Sequence, residues 1–379
     1  MTRVYLVRHG EAEGNLYRRA QGQYDGRITP LGEKQLDLLA ERFRDVPLGA
    51  VYSSDLSRAV QTAQSVARFH PELTPMQDPR LRELHLGIWE DQPWGNVERD
   101  VPEQLYYFNN EPDKWQVPEA ERFSDLAKRL RAAVLELAAK HDGDTIALCS
   151  HGMAIRTLQM DSLAREGRSD PPGHGDNTCV SLLEVEGEAI HVAVINDASH
   201  LPRELSTLAR QDWWKHEGCG ELNNMRVEPL VLPEEQALYL ACYEDAWRFA
   251  HGSLTGFTAQ PYIDSALVHQ RQNARAIAKF LRGDELAGVV ELDTNRFFRE
   301  GVGWITLLYL TPEMRRRGLA PQLLGHAVSV YRALGRKALR LHVSVNNPTA
   351  IAFYERNGFH QLRQEQGVVA PLLLMEMPL

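Results

Sequence analysis

Two histidines stand at matching places in the sequence. Arg8-His9-Gly10 follows directly on the apolar run Val4-Tyr5-Leu6-Val7, and His151-Gly152 follows directly on the apolar stretch 144–149. Short runs of this kind suit buried parallel strands. In open α/β sheets ligands bind just outside the carboxyl ends of the strands, so the two imidazoles are expected to face one crevice. Arg58 lies one turn into the helix predicted after Ala50-Val51-Tyr52-Ser53 and reaches the same edge. Two imidazoles with the guanidiniums of Arg8 and Arg58 make a cationic pocket. A phosphate dianion fits it, because arginine presents planar donors to phosphate oxygens.

A second constellation lies far downstream. Arg315-Arg316-Arg317-Gly318-Leu319-Ala320 leads from the strand-like run 303–310 into a predicted helix. A glycine-containing loop entering a helix exposes backbone N–H groups and adds the helix dipole, which together attract an anion. Gly318 and Ala320 are small enough for that anion to approach the backbone, and three arginines raise the local field.

The elements that must position these groups follow from periodicity. In the first half, strands at 4–7, 50–53 and 144–149 alternate with helices at 30–43, 55–69 (with Ser54 as its cap), 120–140 and from 153 onward. Two more strands, 180–185 and 190–195, are joined by a turn at Gly187. This alternation predicts a three-layer α/β sandwich with a mostly parallel sheet. Residues 84–119 carry Pro93, Pro102, Pro112 and Pro118 with several aromatic residues, and read as an irregular insertion. The pattern changes after Trp214. Strands at 226–232, 279–282, 286–292, 303–310, 338–343 and 372–377, with helices at 234–250, 318–334 and 348–357, predict an α+β domain with a mixed, mostly antiparallel sheet. A hairpin is expected at Gly283-Asp284. The expected division is 1–218, a polar linker at 219–225, and 226–379.

Composition agrees. A chain of 379 residues implies two domains, and 43% hydrophobic with 25% charged residues is a globular balance. The net charge of −9 is uneven: residues 1–218 balance to −10 and residues 219–379 to +1. An acidic chain argues against nucleic acid as a partner. No apolar run is long enough for a transmembrane helix, and no secretion signal is evident. Cys149, Cys179, Cys219 and Cys242 lack paired spacing, which points away from disulfides and zinc and towards a cytoplasmic location. His70, His85, His141 and His174 lack ligand spacing and read as surface or loop residues.

Residues 6–15 (L-V-R-H-G-E-A-E-G-N), 51–63 (V-Y-S-S-D-L-S-R-A-V-Q-T-A), 81–90 (L-R-E-L-H-L-G-I-W-E), 149–152 (C-S-H-G) and 196–201 (N-D-A-S-H-L) resemble, in order, the motifs of the histidine phosphatase superfamily, in its phosphoglycerate mutase-like branch. The resemblance implies that His9 is a nucleophile forming a phosphohistidine. Arg8, Arg58 and His151 would hold the equatorial oxygens, with Asn15 and Gly152 also at the phosphate. Glu83 would be general acid and then base, kept protonated by Trp89 or the aromatic insertion. Asn196 and His200 would be structural. Ala12 stands where the family usually has threonine, which implies tuning rather than loss. No metal is required.

The loop 315–320 resembles the pyrophosphate loop of the GNAT N-acetyltransferases, and 347–359 (N-P-T-A-I-A-F-Y-E-R-N-G-F) resembles their second signature. The resemblance implies acetyl-CoA as cofactor, held by Leu308 and Leu310 of a splayed strand, by Arg315, Arg316, Arg317, Gly318, Leu319 and Ala320, and by Asn347. Tyr354 would protonate the CoA thiolate, and Glu291 is the candidate base for an amine acceptor. The combined expectation is a bifunctional enzyme acting on a small phosphorylated metabolite and on an amine. Phosphoglycerate mutase activity, or one domain serving as a ligand sensor, are the alternatives. The sequence leaves the oligomeric state open.

Overall fold

A computed structural model describes residues 1–168, 171–211 and 223–379. They form two compact units, residues 1–92 with 97–211 and residues 93–96 with 223–379. The expected linker, 219–225, lies mostly outside the described residues, as does Cys219; Cys149, Cys179 and Cys242 are buried free thiols.

The first unit runs β1 (Thr2–Arg8), α1 (Glu13–Tyr17), α2 (Pro30–Phe43), β2 (Ala50–Ser53), α3 (Ser57–Val66), β3 (Met76–Gln77), α4 (Trp94–Asp100, whose residues 94–96 count with the second unit), α5 (Pro102–Asn110), α6 (Phe123–Lys140), β4 (Thr145–Ser150), α7 (Gly152–Arg165), β5 (Val180–Glu186) and β6 (Ala189–Asp197). The sheet order is β3-β2-β4-β1-β5-β6. β1, β2, β3 and β4 pair in parallel, while β5 is antiparallel to both β1 and β6. Val7, Val51, Ala147 and Cys149 pack with Leu36, Leu39 and Phe43 of α2 and Ala63 and Val66 of α3 in one core. The register aligns the strand ends: Arg8 lies beside Ser150, and Ser53 beside Cys149.

Two expectations change here. Residues 84–119 are not irregular throughout, since they form α4 and α5 and two short 3-10 turns. Pro102 occupies the first turn of α5, where proline costs no hydrogen bond, so prolines that resembled breakers are helix starts. The helix expected at 55–69 is confined to Ser57–Val66, with Leu56 at its N-cap and no side-chain cap. Ser54 is engaged elsewhere.

The second unit runs β7 (Arg226–Pro229), α8 (Gln236–His251), α9 (Ala259–Gln272), β8 (Ile277–Arg282), β9 (Glu285–Asp293), β10 (Val302–Leu310), α10 (Ala320–Ala333), β11 (Ala338–Ser344), α11 (Pro348–Arg356), β12 (His360–Glu365) and β13 (Leu372–Pro378). The sheet order is β12-β13-β11-β10-β9-β8-β7, and only β10 with β11 is parallel. The hairpin at Gly283-Asp284 forms as expected, with Gly283 at φ +61°. Two elements have no counterpart in the sequence expectations. α9 has Pro261 in its first turn and a polar outer face, and β12 is an exposed edge strand of polar residues, so neither shows a strong apolar period.

Candidate functional site

His9 follows β1, and its backbone is fastened on three sides. Its N–H donates to Ser150 O (3.0 Å) at the end of β4, and Gly10 N–H donates to Thr62 Oγ1 (3.2 Å) on α3. The turn before β5 holds the third side: Asn177 Nδ2 donates to His9 O (2.9 Å) and Thr178 N–H to Arg8 O (3.1 Å). His9 Nδ1 lies 2.7 Å from Gly10 O. A carbonyl only accepts, so Nδ1 carries the proton. Burial, then Arg58 and Arg8, hold the imidazole well below its ordinary pKa, so it is neutral. Nε2 is therefore an unprotonated lone pair, the form that a nucleophile requires.

His151, fully buried, follows β4, and its ring centroid lies 5.2 Å from that of His9. Burial, then Arg58 and His9, also hold it well below its ordinary value. Ser54 Oγ accepts from Leu56 N–H (3.4 Å) and lies 2.7 Å from His151 Nε2; among the described residues Nε2 is the one acceptor that the buried hydroxyl proton reaches, which makes Nε2 the acceptor. The remaining proton of neutral His151 then sits on Nδ1, which is buried without a hydrogen-bond partner among the described residues.

Arg58 is fully buried on α3, with its terminal nitrogens donating to Tyr24 O (2.9 Å) and Gly22 O (2.6 Å). Burial lowers it to about 10, which leaves it charged at neutral pH. Arg8 donates from NH1 to Gly175 O. The Nε atoms of Arg8 and Arg58 are both buried and unpartnered among the described residues. Enclosed, unsatisfied N–H donors beside one lone pair are groups that the oxygens of a phosphoryl group can accept from. At Gly152 a Cβ would lie 3.2 Å from the Arg8 guanidinium, so glycine gives Arg8 its room. Asn15 spends its Oδ1 on Ala12 N–H (3.1 Å), bracing the α1 turn.

Glu83 is buried at the N-terminus of α7. Its Oε1 accepts from Leu84 N–H (2.9 Å) and Ala154 N–H (2.8 Å), and Oε2 from Met153 N–H (3.0 Å). Burial raises its pKa against these donors and Arg58. Oε2 has one donor and so has room for a proton. Trp89, Phe108, Trp115 and Phe123 pack edge-on and tilted against one another, while the Glu83 carboxylate is held by Leu84 and by the N-terminus of α7.

Sequence reasoning missed three supports. Ser54 sets the His151 tautomer. Arg129 on α6 donates to Arg80 O (2.7 Å), Arg82 O (2.8 Å) and Glu83 O (2.9 Å), lacing the Glu83 loop. Glu90 accepts from Gly22, Gln23, Tyr24 and Leu86 N–H, shaping the carbonyl cradle of Arg58. None has a catalytic-type motif. Ser54 and Glu90 at least lie inside the motifs at 51–63 and 81–90, whereas Arg129 lies outside all of them. His70 lies in the loop after α3, one of the two places expected for it, but is buried there with Nε2 on Phe43 O (2.8 Å), and His141 pairs with Tyr52 OH (2.9 Å). Asn196 and His200 brace the turn beside His9 through Ser181 and Thr178.

In the second unit, β10 pairs with β11 only from Val302 to Ile305, while its pairing with β9 continues to Leu310. The strand is thus splayed over Leu308 and Leu310, as expected. The loop after it has Arg316 at φ +61° and Gly318 at φ +75°, the left-handed turns that expose successive N–H groups. No side chain caps α10 at Leu319, and a Cβ at Gly318 would meet nothing within 4 Å. The hydroxyls of Thr306 and Thr311 are buried without partners among the described residues. Open helix N–H groups, a splayed edge and orphaned hydroxyls fit a pantetheine pyrophosphate. Arg316 and Arg317 are exposed. Arg315 is turned away, with Nε on Leu310 O (3.0 Å) and NH2 on Asp245 (2.5 Å). Asn347 caps α11 through Ala350 N–H (3.1 Å). Tyr354 is buried on α11, which raises its phenol.

Glu291 is not a strand-edge group. It is 1% exposed, with Oε2 accepting from Tyr239 OH (2.8 Å) and Oε1 2.7 Å from His269 Nδ1. His269 Nε2 lies 3.4 Å from Asp293. Burial works against the charge, but Asp293 and Glu291 overcome it and hold His269 up at about 9. His269 was missed because α9 was.

The sequence model of the histidine phosphatase superfamily (branch 1) matches residues 4–198, and that of the acetyltransferase (GNAT) family matches residues 236–359. The probable phosphoglycerate mutase GpmB of Yersinia pestis (strain Pestoides F) is 40% identical over 161 residues, 42% of this chain and 73% of that protein. Among solved structures, Bacillus stearothermophilus YhfR is 34% identical and covers 53% of this chain and 99% of its own, with a TM-score of 0.49. A mycobacterial glucosyl-3-phosphoglycerate phosphatase is 27% identical over 52% of this chain and 99% of its own, with a TM-score of 0.47.

Proposed function

Because the chain belongs to the histidine phosphatase superfamily and carries a GNAT acetyltransferase domain, we propose that it is a bifunctional enzyme, with functional divisions at 1–218 and 226–379. The first domain hydrolyses a small phosphomonoester. The single observation that carries this reading is the His9 Nδ1 contact with Gly10 O, which leaves Nε2 as a lone pair among the unsatisfied donors of Arg8, Arg58 and His151. His9 Nε2 attacks phosphorus as the ester P–O bond breaks, and Glu83 gives its proton to the leaving oxygen. Glu83 then takes a proton from water, whose oxygen attacks the phosphohistidine and releases phosphate. Arg8, Arg58, His151 and Gly152 hold the transferred group, with Asn15 bracing the pocket wall.

The second domain transfers an acetyl group to an amine. Acetyl-CoA supplies the activated thioester when bound. Leu308 and Leu310 offer backbone to the pantetheine arm, and the loop from Arg316 to Ala320 with the α10 N-terminus holds the pyrophosphate. Arg315 and Asn347 brace that site. Tyr354 is the proton donor to the departing sulfur, and Glu291 is the proton acceptor for the amine, positioned by His269 and Tyr239.

Incubation with phosphoglycerates tests the first assignment. Release of inorganic phosphate is expected; isomerisation without release would make the domain a mutase, the activity in the name of its Yersinia relative. Calorimetry with acetyl-CoA tests the second. Binding is expected, and Gly318→Trp should weaken it, because the left-handed backbone there favours glycine. No binding at millimolar concentration would refute the assignment.

A further inference from the structure

After β6 the chain comes back to the turn that carries His9, and there it meets two buried carboxylates. Glu11 lies two residues after His9; its N–H donates to Gln35 Oε1 (2.7 Å), and its Oε1 accepts from Thr29 Oγ1 (2.8 Å). Asp176 precedes Asn177, whose side chain donates to His9 O, and its Oδ1 accepts from Asn177 N–H (2.8 Å). The returning segment fills the remaining places. Thr207 Oγ1 donates to Glu11 Oε2 (3.0 Å) and accepts from Gln35 Nε2 (2.9 Å), which also donates to Leu205 O (2.7 Å). The residues on either side of Thr207 turn to the other carboxylate: Ser206 Oγ donates to Asp176 Oδ2, and Leu208 N–H to Asp176 Oδ1 (3.0 Å).

Apolar side chains would pack this segment down without desolvating two carboxylates. What a closed polar network adds is direction, because each donor fixes the angle as well as the distance of its acceptor. Both oxygens of Glu11 and both of Asp176 accept a hydrogen bond, so the network is satisfied throughout. Direction matters at His9, whose Nε2 must lie on the line of attack, and a small misplacement there costs rate. The match to the histidine phosphatase superfamily ends at residue 198, so residues 205–208 lie beyond the matched segment.

We propose that residues 205–208 are a positioning strap for the nucleophile: Thr207 on Glu11, with Ser206 and Leu208 on Asp176, holds the turn after His9 and the turn before β5 in the relation that aims His9 Nε2 at phosphorus. The proposal rests on the reading of the first domain as a phosphatase acting through His9. The strap acts on the rate by way of His9 and makes no contact with the phosphoryl group itself.

The test is hydrolysis of p-nitrophenyl phosphate by the full chain, with kcat, KM and the melting temperature measured for each variant. Thr207→Val keeps the shape and removes the hydroxyl. It is expected to lower kcat about threefold to tenfold, the worth of one hydrogen bond, with little change in KM. Thr207→Ser keeps the hydroxyl and is expected to retain the wild-type kcat. A wild-type kcat in Thr207→Val, whatever its melting temperature, would make residue 207 a packing residue and overturn the proposal. An equal loss of kcat in Thr207→Ser, or a change confined to KM, would do the same. Should Thr207→Val fail to fold, Ser206→Ala, which removes one donor to Asp176, carries the same expectation and the same contradiction. If the wild-type chain releases no nitrophenol, or His9→Ala releases it as fast, the phosphatase reading fails, and this inference with it.

Discussion

At the scale of single residues, the first site depends on protonation states that burial imposes. Burial and two arginines push His9 down, so it stays neutral well below pH 6.5, while burial pushes Glu83 up, so it holds a proton above the usual carboxylate range. The rate with a phosphomonoester should therefore rise as His9 loses its proton on the acid side and fall as Glu83 loses its own on the alkaline side. The acid limb should lie below pH 6.5; an acid limb at or above pH 6.5 would contradict this. Ser54→Ala should release the His151 tautomer and lower kcat by about tenfold, an effect of roughly 1–1.5 kcal/mol, with little change in KM. The residues proposed to hold phosphate were legible in the sequence, because their types and motif spacing are those of the chemistry. Ser54 and Arg129 were not. Their roles arise from contacts across 97 and 46 residues of chain with His151 and Glu83, and no local pattern announces them.

At the scale of elements, α7 organises the first site. Its N-terminus follows His151, receives the Glu83 carboxylate, and presents Gly152 to Arg8. Gly152→Ala should press the Arg8 guanidinium by a few tenths of an ångström and raise KM for the phosphomonoester more than it lowers the melting temperature. An unchanged KM would remove Gly152 from the site. The strands and the longer helices were legible from their apolar periods. α9 and β12 were not, since one presents a polar face with a proline in its first turn and the other is a solvated edge. That gap mattered, because α9 carries His269, the partner of Glu291. His269→Gln should take from the buried Glu291 one of its two positioning partners and lower kcat of acetyl transfer with little change in KM for acetyl-CoA, whereas a residue that merely packs would lower the melting temperature and leave kcat in place.

At the scale of the whole molecule, the two domains should respond to pH in opposite directions. His9 and His151 are held well below their ordinary values, and His174 and His200 at about 4, by burial and neighbouring arginines. Each binds a proton in the unfolded chain before it does so in the folded one. Their contribution is complete above pH 6.5 and is lost as the pH falls below it. Glu11 and Glu83, raised by burial, act in the reverse sense, but they are two against four. The first domain should lose on the order of 1–3 kcal/mol between pH 6.5 and 5.5. His269 is raised to about 9, so its contribution is complete below pH 6.5 and disappears as the pH climbs through 9. Scanning calorimetry should show one transition falling on the acid side and the other on the alkaline side, with phosphate raising the first and acetyl-CoA the second. The net charge of −9, by contrast, says little about ligands, because Arg8 and Arg58 in one half and Arg316 and Arg317 in the other create local fields of the opposite sign. The most direct test of the account is hydrolysis of p-nitrophenyl phosphate by the wild-type chain and by His9→Ala. The wild type should turn over and the variant should lose at least about a thousandfold in kcat, as expected when a nucleophile is removed; equal rates would contradict the assignment of His9 and the phosphohistidine route with it.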